Sequence, residues 1–484
     1  MNEAAAAYYR SDAVQGRVRE FLGCNSLGKP TCRYLVKGDQ REFHLHDHAA
    51  VEALDSFLAE GAEIARSLWD ETSLLADLDV EYVNFDRPAE VFLHPERALS
   101  LQVPVQKTIE RLLAGYGIES LQLLSGRGHH FTWRIDQNSP AFARLVELGH
   151  GSPSLWKTTA NQAAPDGAIA SIELARAFAG LGQVMEFLAH RVQESAAGRS
   201  EIPVELTAVE VGPSDHGREM ISLDISEYGD PLTARMLRTP FSVYFKPWQQ
   251  RGLIPDKVLD KIGPLFVIPR SGMKWEEALP IMRSPELTAK LAATASAEIP
   301  DASGAMERLI ADYEASALRK FHDEFFAQEH EPPERWPATY DQTPLEPWPA
   351  CGHLMVEQPN DLLLRPACIR RVVRILLALG WHPRHIAGFI RSKYERNFGW
   401  TQFRDCDPAS RADFYVRVFA GLFATGRDKL VDFNCASARE EGLCFFTNCN
   451  DNLLRFRDAA LYRRSHDKLA HRPFNRLLLP AEHF

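Results

Sequence analysis

The stretch "LLADLDVEY", Leu74 to Tyr82, sets Asp77, Asp79 and Glu81 at every second position of an apolar run. On a β-strand, residues two apart point to one face, so the three acids emerge side by side while Leu78 and Val80 go to the other. Strand interiors disfavour Asp, and adjacent carboxylates in a poorly hydrated place repel unless a cation compensates. An edge strand with one solvated face explains the pattern. A divalent site explains it too, and the apolar "LLA" before Asp77 favours burial; Mg²⁺ or Mn²⁺ held by carboxylates suits phosphoryl or nucleotidyl transfer.

Three more segments carry matching chemistry. "SGRGHHFTW" (Ser125 to Trp133) follows an apolar strand, and its glycines let backbone amides approach an anion closely. Arg127, either histidine and the Ser125 hydroxyl can then meet phosphate oxygens; a plain hairpin turn accounts for the glycines but not for the Arg and His beside them. In "MISLDISEYGD", Asp224 interrupts another apolar strand. In "MLRTPFSVYFKP", Arg238, Ser242, Tyr244 and Lys246 fall on even positions, which on one strand would present guanidinium, hydroxyl, phenol and ammonium together.

The elements that must position these groups come from periodicity and punctuation. Apolar residues at helical spacing predict a helix within Ala50–Trp69 and a mainly helical region over residues 1–70. Short strands alternate with helices from about Ser73 to Ile268, so residues 71–295 read as an α/β or α+β domain. Inside it, "VPVQKTIERLLAGYGI" predicts a helix with Pro104 in its first turn and Gly115 and Gly117 at its stop. Residues 296–350 read as a helical stretch from about Ser303 to Phe326 and then a stiff, extended connector, because six prolines fall from Pro332 to Pro349. Residues 351–484 read as a mostly helical domain.

Composition places the chain among globular proteins: 484 residues, 45% hydrophobic and 25% charged. No apolar run is long enough to cross a membrane, and "MNEAAAAYYRSD" lacks a basic start followed by an apolar core, so a cytoplasmic location without membrane attachment is expected. The net charge of −10 divides unevenly: from Arg365 to Phe484 there are 21 Lys plus Arg against 12 Asp plus Glu, or +9, leaving −19 for the rest. A basic tail can follow a phosphate backbone, and it can equally be a solvated helical surface. Six of the eight cysteines lie at 351, 368, 406, 435, 444 and 449. Cys368, Cys435, Cys444 and Cys449 can hold Zn²⁺ or an iron–sulfur cluster, with Cys351 an alternative first ligand; buried free thiols are the plainer explanation.

The order "LLADLD", "SGRGHH", "SLDIS", "RTPFSVYFK" resembles the motif series of the archaeo-eukaryotic primase superfamily, over roughly Ser73 to Pro247. The resemblance implies a primase-type α+β catalytic domain, with mixed sheets and flanking helices, that joins nucleotides on a single-stranded DNA template. It implies that Asp77, Asp79 and Asp224 hold Mg²⁺ or Mn²⁺. It further implies that His130, with Ser125 and Arg127, touches the phosphates of a nucleoside triphosphate, alongside Arg238, Ser242 and Lys246. Relatives often have His where this chain has Tyr244, and the family pattern does not require Glu81. "PACIR", followed by helices and late cysteines, is more distantly similar to the iron–sulfur domain of the primase large subunit, which implies a 4Fe–4S cluster. The expected activity is that of a DNA primase or primase-polymerase, with a helicase or another replication protein as a further partner. A template-directed repair polymerase of the same superfamily and a non-catalytic nucleic-acid-binding protein are the alternatives.

Overall fold

The acid-bearing segment is a strand, and the sheet is registered on it. The computed structural model describes residues 2–26, 28, 30–37, 53–151, 170–250, 252–270, 272–357, 361–397, 407–446, 449 and 452–467. The strands are β1 (Cys32–Lys37), β2 (Glu63–Asp70), β3 (Ser73–Asn84), β4 (Leu121–Leu124), β5 (Gly128–Asp136), β6 (Val204–Leu206), β7 (Glu219–Asp224), β8 (Met236–Arg238) and β9 (Ile268–Pro269). They run in the order β1-β2-β3-β5-β4-β9, with β7 also on β3, β6 on β7 and β8 on β2. Every pairing is antiparallel except β6 with β7. The class is α+β, a mixed sheet with flanking helices, as the sequence implies.

The chain forms two compact units: Met1–Ala208 with Glu219–Ile310, and Val209–Arg218 with Ala311–Phe484. In the first, β3 is central because it pairs with β2, β5 and β7; Leu74, Leu78, Val80 and Tyr82 are buried on one side, and the acids lie on the other. The helix Ile172–Ala196 is buried along most of its length, with Ser171 capping its start through the N–H of Leu174.

Four sequence expectations are corrected. Ala50–Trp69 is not one helix: Leu54–Ala59 is helical, Gly61 turns the chain at φ +76°, and Glu63–Asp70 is β2, while residues 50–52 lie outside the described residues. The apolar run "EIARSLW" is buried from end to end, and a fully buried strand has no alternation to separate it from a helix. Thus residues 1–70 supply two strands of the sheet. The helix placed at Pro104 begins at Pro95 and continues to Tyr116, with Pro104 inside it.

"FSVYF" is not a strand. After β8 ends at Arg238, Phe241 takes a left-handed φ of +63° and Lys246 opens a short helix to Gln249. The proline-rich stretch is likewise not extended. Pro333–Ala338 and Tyr340–Gln342 are 3₁₀ turns, and Trp336, Tyr340 and Trp348 are buried, so the prolines start turns that carry aromatic anchors.

The second unit is helical, with Pro366–Ala378, Pro383–Asn397 and Pro408–Ala424 as its long elements; the last stops just before Gly426 at φ +75°. Its basic residues are largely paired internally. Arg374 makes forked contacts to Asp428 and Asp432, Arg371 meets Glu441, and Arg384 meets Asp413. No described helix is long and apolar enough to cross a membrane.

Candidate functional site

Strand register brings the acids and their companions to one face. Asp77 stands opposite Thr132, Asp79 opposite His130 and Glu81 opposite Gly128 on β5; on the other flank Asp79 stands opposite Asp224 of β7. Directly opposed residues of antiparallel strands share a face, so the backbone alone gathers Asp77, Asp79, Glu81, His130 and Asp224. His129, one residue earlier, faces away, where burial pushes its pKa down to about 3. His130, not His129, is therefore the histidine on the face of the acids.

The three acids of β3 have different partners. Asp77 is buried, accepts a hydrogen bond from Thr132 Oγ1 (2.5 Å) and pairs with His130 Nδ1 (2.9 Å). Tyr228 fixes the backbone there, its hydroxyl donating to the Asp77 carbonyl at 2.9 Å. Asp79 lies 3.7 Å from His130 Nε2, and its buried Oδ1 has no hydrogen-bond partner. Glu81 takes Lys246 Nζ on one oxygen (3.0 Å) and Arg127 Nη2 on the other (3.1 Å).

Oxygens of Asp79, Glu81 and Asp224 lie within 4.8 Å of one another, the only such group of potential ligands among the described residues. The carboxylates nearest one another are therefore these three, whereas Asp77 is occupied in orienting His130. An orphaned Asp79 oxygen between two further carboxylates fits a hard divalent cation.

Protonation follows from this crowding. Burial, reinforced by Glu81, Asp224 and Asp77 and opposed by His130, raises Asp79 to about 7. His130 goes up to about 9 because Asp79 and Asp77 outweigh its burial. Burial disfavours ionised Glu81, but Arg127 and Lys246 hold its carboxyl well below the usual range.

The cations arrive from separate segments. Arg127 sits on the turn Ser125–Gly128, which is closed by the Ser125 N–H and hydroxyl, both directed to the Gly128 carbonyl. Ser125 is thus engaged within the turn. Both glycines there are steric necessities: a Cβ on Gly128 would lie 1.8 Å from the Val80 carbonyl oxygen, and one on Gly126 would lie 2.4 Å from the Tyr244 ring.

Tyr244, on the other side, lies under the Arg238 guanidinium, 4.8 Å from its ring centroid, while Arg238 Nε donates to Glu63 at 2.9 Å. Ser242 is fully buried, and its Oγ accepts the Ile64 N–H at 2.8 Å and lies 3.1 Å from the Tyr9 hydroxyl. Fully buried and engaged in these bonds, it has the surroundings of a structural hydroxyl. Lys246, though on a helix start rather than a strand, still reaches Glu81.

Two acids escape sequence reasoning. Glu63, buried in β2, accepts from both Arg238 and the Phe245 N–H, so it aims the Arg238 side chain; its segment reads as helix, which hid it. Glu227, three residues after Asp224, lies close enough to Asp77, Asp79 and Asp224 that burial and their charges raise its pKa well above the usual carboxylate value. Its place in "DISEYG" was the available signal.

In the second unit, Cys351 and Cys368 are buried, Cys435 and Cys444 half-buried and Cys449 exposed, all as free thiols; Cys406 lies outside the described residues. Burial raises the Cys351 thiol, with Arg371 opposing and the nearby Cys435 and Cys444 adding to the rise; Cys351 acts likewise on Cys368, which is pushed up to about 12. Among the described residues no three of these sulfurs come within 4.8 Å of one another.

No protein-family profile matches the chain, and neither a curated protein nor a solved structure matches it.

Proposed function

We propose that the chain is a template-directed nucleotidyltransferase, a DNA primase or primase-polymerase of the archaeo-eukaryotic type, using single-stranded DNA and nucleoside triphosphates. The observation that carries the reading is the in-register meeting of Asp79 with both Asp224 and His130, beside a Glu81 flanked by Arg127 and Lys246. Carboxylates for a cation and guanidinium and ammonium groups for phosphate adjoin on one sheet face.

Asp79, Glu81 and Asp224 would hold Mg²⁺ or Mn²⁺, which supplies charge neutralisation at the phosphates and activation of the attacking 3′-hydroxyl. Arg127 and Lys246 bind the phosphate oxygens, and Arg238, held by Glu63, adds positive potential alongside. His130, oriented through Nδ1 by Asp77, presents Nε2 toward Asp79 and stays protonated near neutral pH, so it offers a charged donor to the same phosphates. No side chain needs to act as a nucleophile.

In the second unit, Cys368, Cys435, Cys444 and Cys449, with Cys351 as the alternative ligand near Cys368, Cys435 and Cys444, would hold Zn²⁺ or an iron–sulfur cluster. Tetrahedral zinc, with Zn–S bonds of about 2.3 Å, requires sulfurs about 3.8 Å apart. Zn²⁺ and a four-iron cluster on four thiolates are both within the chemistry of these cysteines.

The test is synthesis without a primer: purified protein, single-stranded DNA, labelled nucleotides and Mg²⁺ or Mn²⁺, with Asp79→Ala alongside. Short products that vanish in the variant support the reading. Extension only when a primer is supplied makes the protein a repair-type polymerase, and binding without any incorporation makes it a nucleic-acid-binding protein.

A further inference from the structure

Glu81 is in two places at once, chemically speaking. Its carboxylate belongs to the group of oxygens within 4.8 Å that includes Asp79 and Asp224, yet each of its oxygens is bonded to a cation, Lys246 at 3.0 Å and Arg127 at 3.1 Å. The two cations come from different segments, the turn Ser125–Gly128 and the helix start at Lys246. A single anion that spans two such cations, one oxygen to each, does what two oxygens of a phosphate chain would do. The contact is well shielded, since the Glu81 side chain is only 9% exposed.

We propose that Glu81 is an internal stand-in for phosphate: in the nucleotide-free protein it holds Arg127 and Lys246, and an arriving triphosphate displaces it, freeing it to complete the cation site with Asp79 and Asp224. This rests on the assignment of Arg127 and Lys246 to the phosphates. A carboxylate neutralised by two cations is a poor ligand for a divalent ion, and cations neutralised by a carboxylate are a poor site for phosphate. One exchange relieves both. A triphosphate carries several negative charges against one on Glu81, so the exchange runs toward nucleotide. The device keeps the cation site incomplete until a nucleotide is present, and it makes nucleotide and metal mutually strengthening ligands.

The experiment reads anion binding alone. Inorganic triphosphate is titrated by calorimetry into the full-length protein in the presence of EDTA, without template or nucleotide. Glu81→Gln keeps the shape of the side chain and is expected to bind triphosphate roughly 5- to 50-fold more tightly than wild type. Asp224→Asn removes an equal charge from a group that holds neither cation, and its gain is expected to be several times smaller. Equal gains in the two variants, no gain in Glu81→Gln, or no triphosphate binding by any of the proteins would each overturn the proposal.

A second measurement does not depend on that variant's folding. Lys246→Gln releases one Glu81 oxygen and is expected to bind Mn²⁺ more tightly than Arg238→Gln does, read by electron paramagnetic resonance without triphosphate; equal or weaker binding overturns the proposal. Failure of the polymerase reading would show separately, as absent nucleotide incorporation with these binding differences intact.

Discussion

Asp79 and Asp224 stand directly opposite each other on adjacent antiparallel strands. Like charges so placed destabilise a sheet, and here burial adds to the cost. With Glu81 the pair forms a group of carboxylates that could hold a cation, and several measurements bear on it.

Asp79→Asn should make the metal-free fold more stable, by on the order of 2 kcal/mol at pH 8, while lowering metal-dependent incorporation at least about 1,000-fold. The sign follows from its raised pKa of about 7. The folded chain keeps this proton longer than the unfolded one, so the group's stabilising contribution is complete below the usual carboxylate value and is lost as pH rises through about 7. Denaturant melts of both proteins at pH 3.5, pH 5 and pH 8 check it, with the difference small at pH 3.5, partial at pH 5 and largest at pH 8. Because a cation needs the ionised form, Mn²⁺ affinity of the wild type should rise over the same interval and flatten above it.

His130→Gln tests the opposite linkage. A histidine whose folded pKa is raised to about 9 contributes stability that is fully present below about 6.5 and disappears as pH climbs through about 9. The stability deficit of His130→Gln should therefore be largest at pH 6 and close to zero at pH 10, as read by thermal melts across that range.

Ser242→Ala separates a structural hydroxyl from a phosphate ligand. Removing Oγ leaves the buried Ile64 N–H without its acceptor, a loss of about 1–3 kcal/mol. Urea unfolding should show that loss, while KM for nucleotide in the folded fraction stays unchanged. A raised KM with normal stability would return Ser242 to the phosphate site.

Arg374→Ala addresses the second unit. The guanidinium is buried between Asp428 and Asp432, and its removal leaves a buried carboxylate unpaired, at a cost of roughly 3–5 kcal/mol. Loss of the unit's cooperative melting transition, with the first unit's transition unmoved, is the expected calorimetric trace.

How much of this could be read from the residues divides along physical lines. β3, β5 and β7 were legible because apolar positions alternate with acids or are bounded by glycines, and the helices Pro366–Ala378 and Pro383–Asn397 because charges repeat on one face. The gathering of Asp79, His130 and Asp224 was legible only as chemistry, since strand register is decided by pairing across some 50 and 145 residues of chain.

Glu81 illustrates the limit most clearly. Its type and alternation were visible, but its two cations come from a turn and a helix start whose placement no period encodes. Ser242 failed for a related reason: a left-handed Phe241 next to it breaks the alternation that placed it on a strand face. β2 and the proline-rich turns were misread because burial on every side, and prolines that open turns, erase the usual signals.

Residues Val209–Arg218 belong to the second unit although they lie between β6 and β7 of the first. On a ribosome, which adds roughly 5–20 residues per second, this strip emerges long before the unit it serves. Glu210 must wait for Arg365, 155 residues later, so about 8–30 s pass with the acid exposed before its partner exists. The sheet can close around β7 in that interval, whereas the helical unit can be completed only after its last helices are made. Birth order thus makes the acid-bearing sheet the earlier structure and the cysteine-bearing unit the later one, and a ribosome that stalls past residue 310 would leave a finished sheet whose inserted strip still awaits its unit.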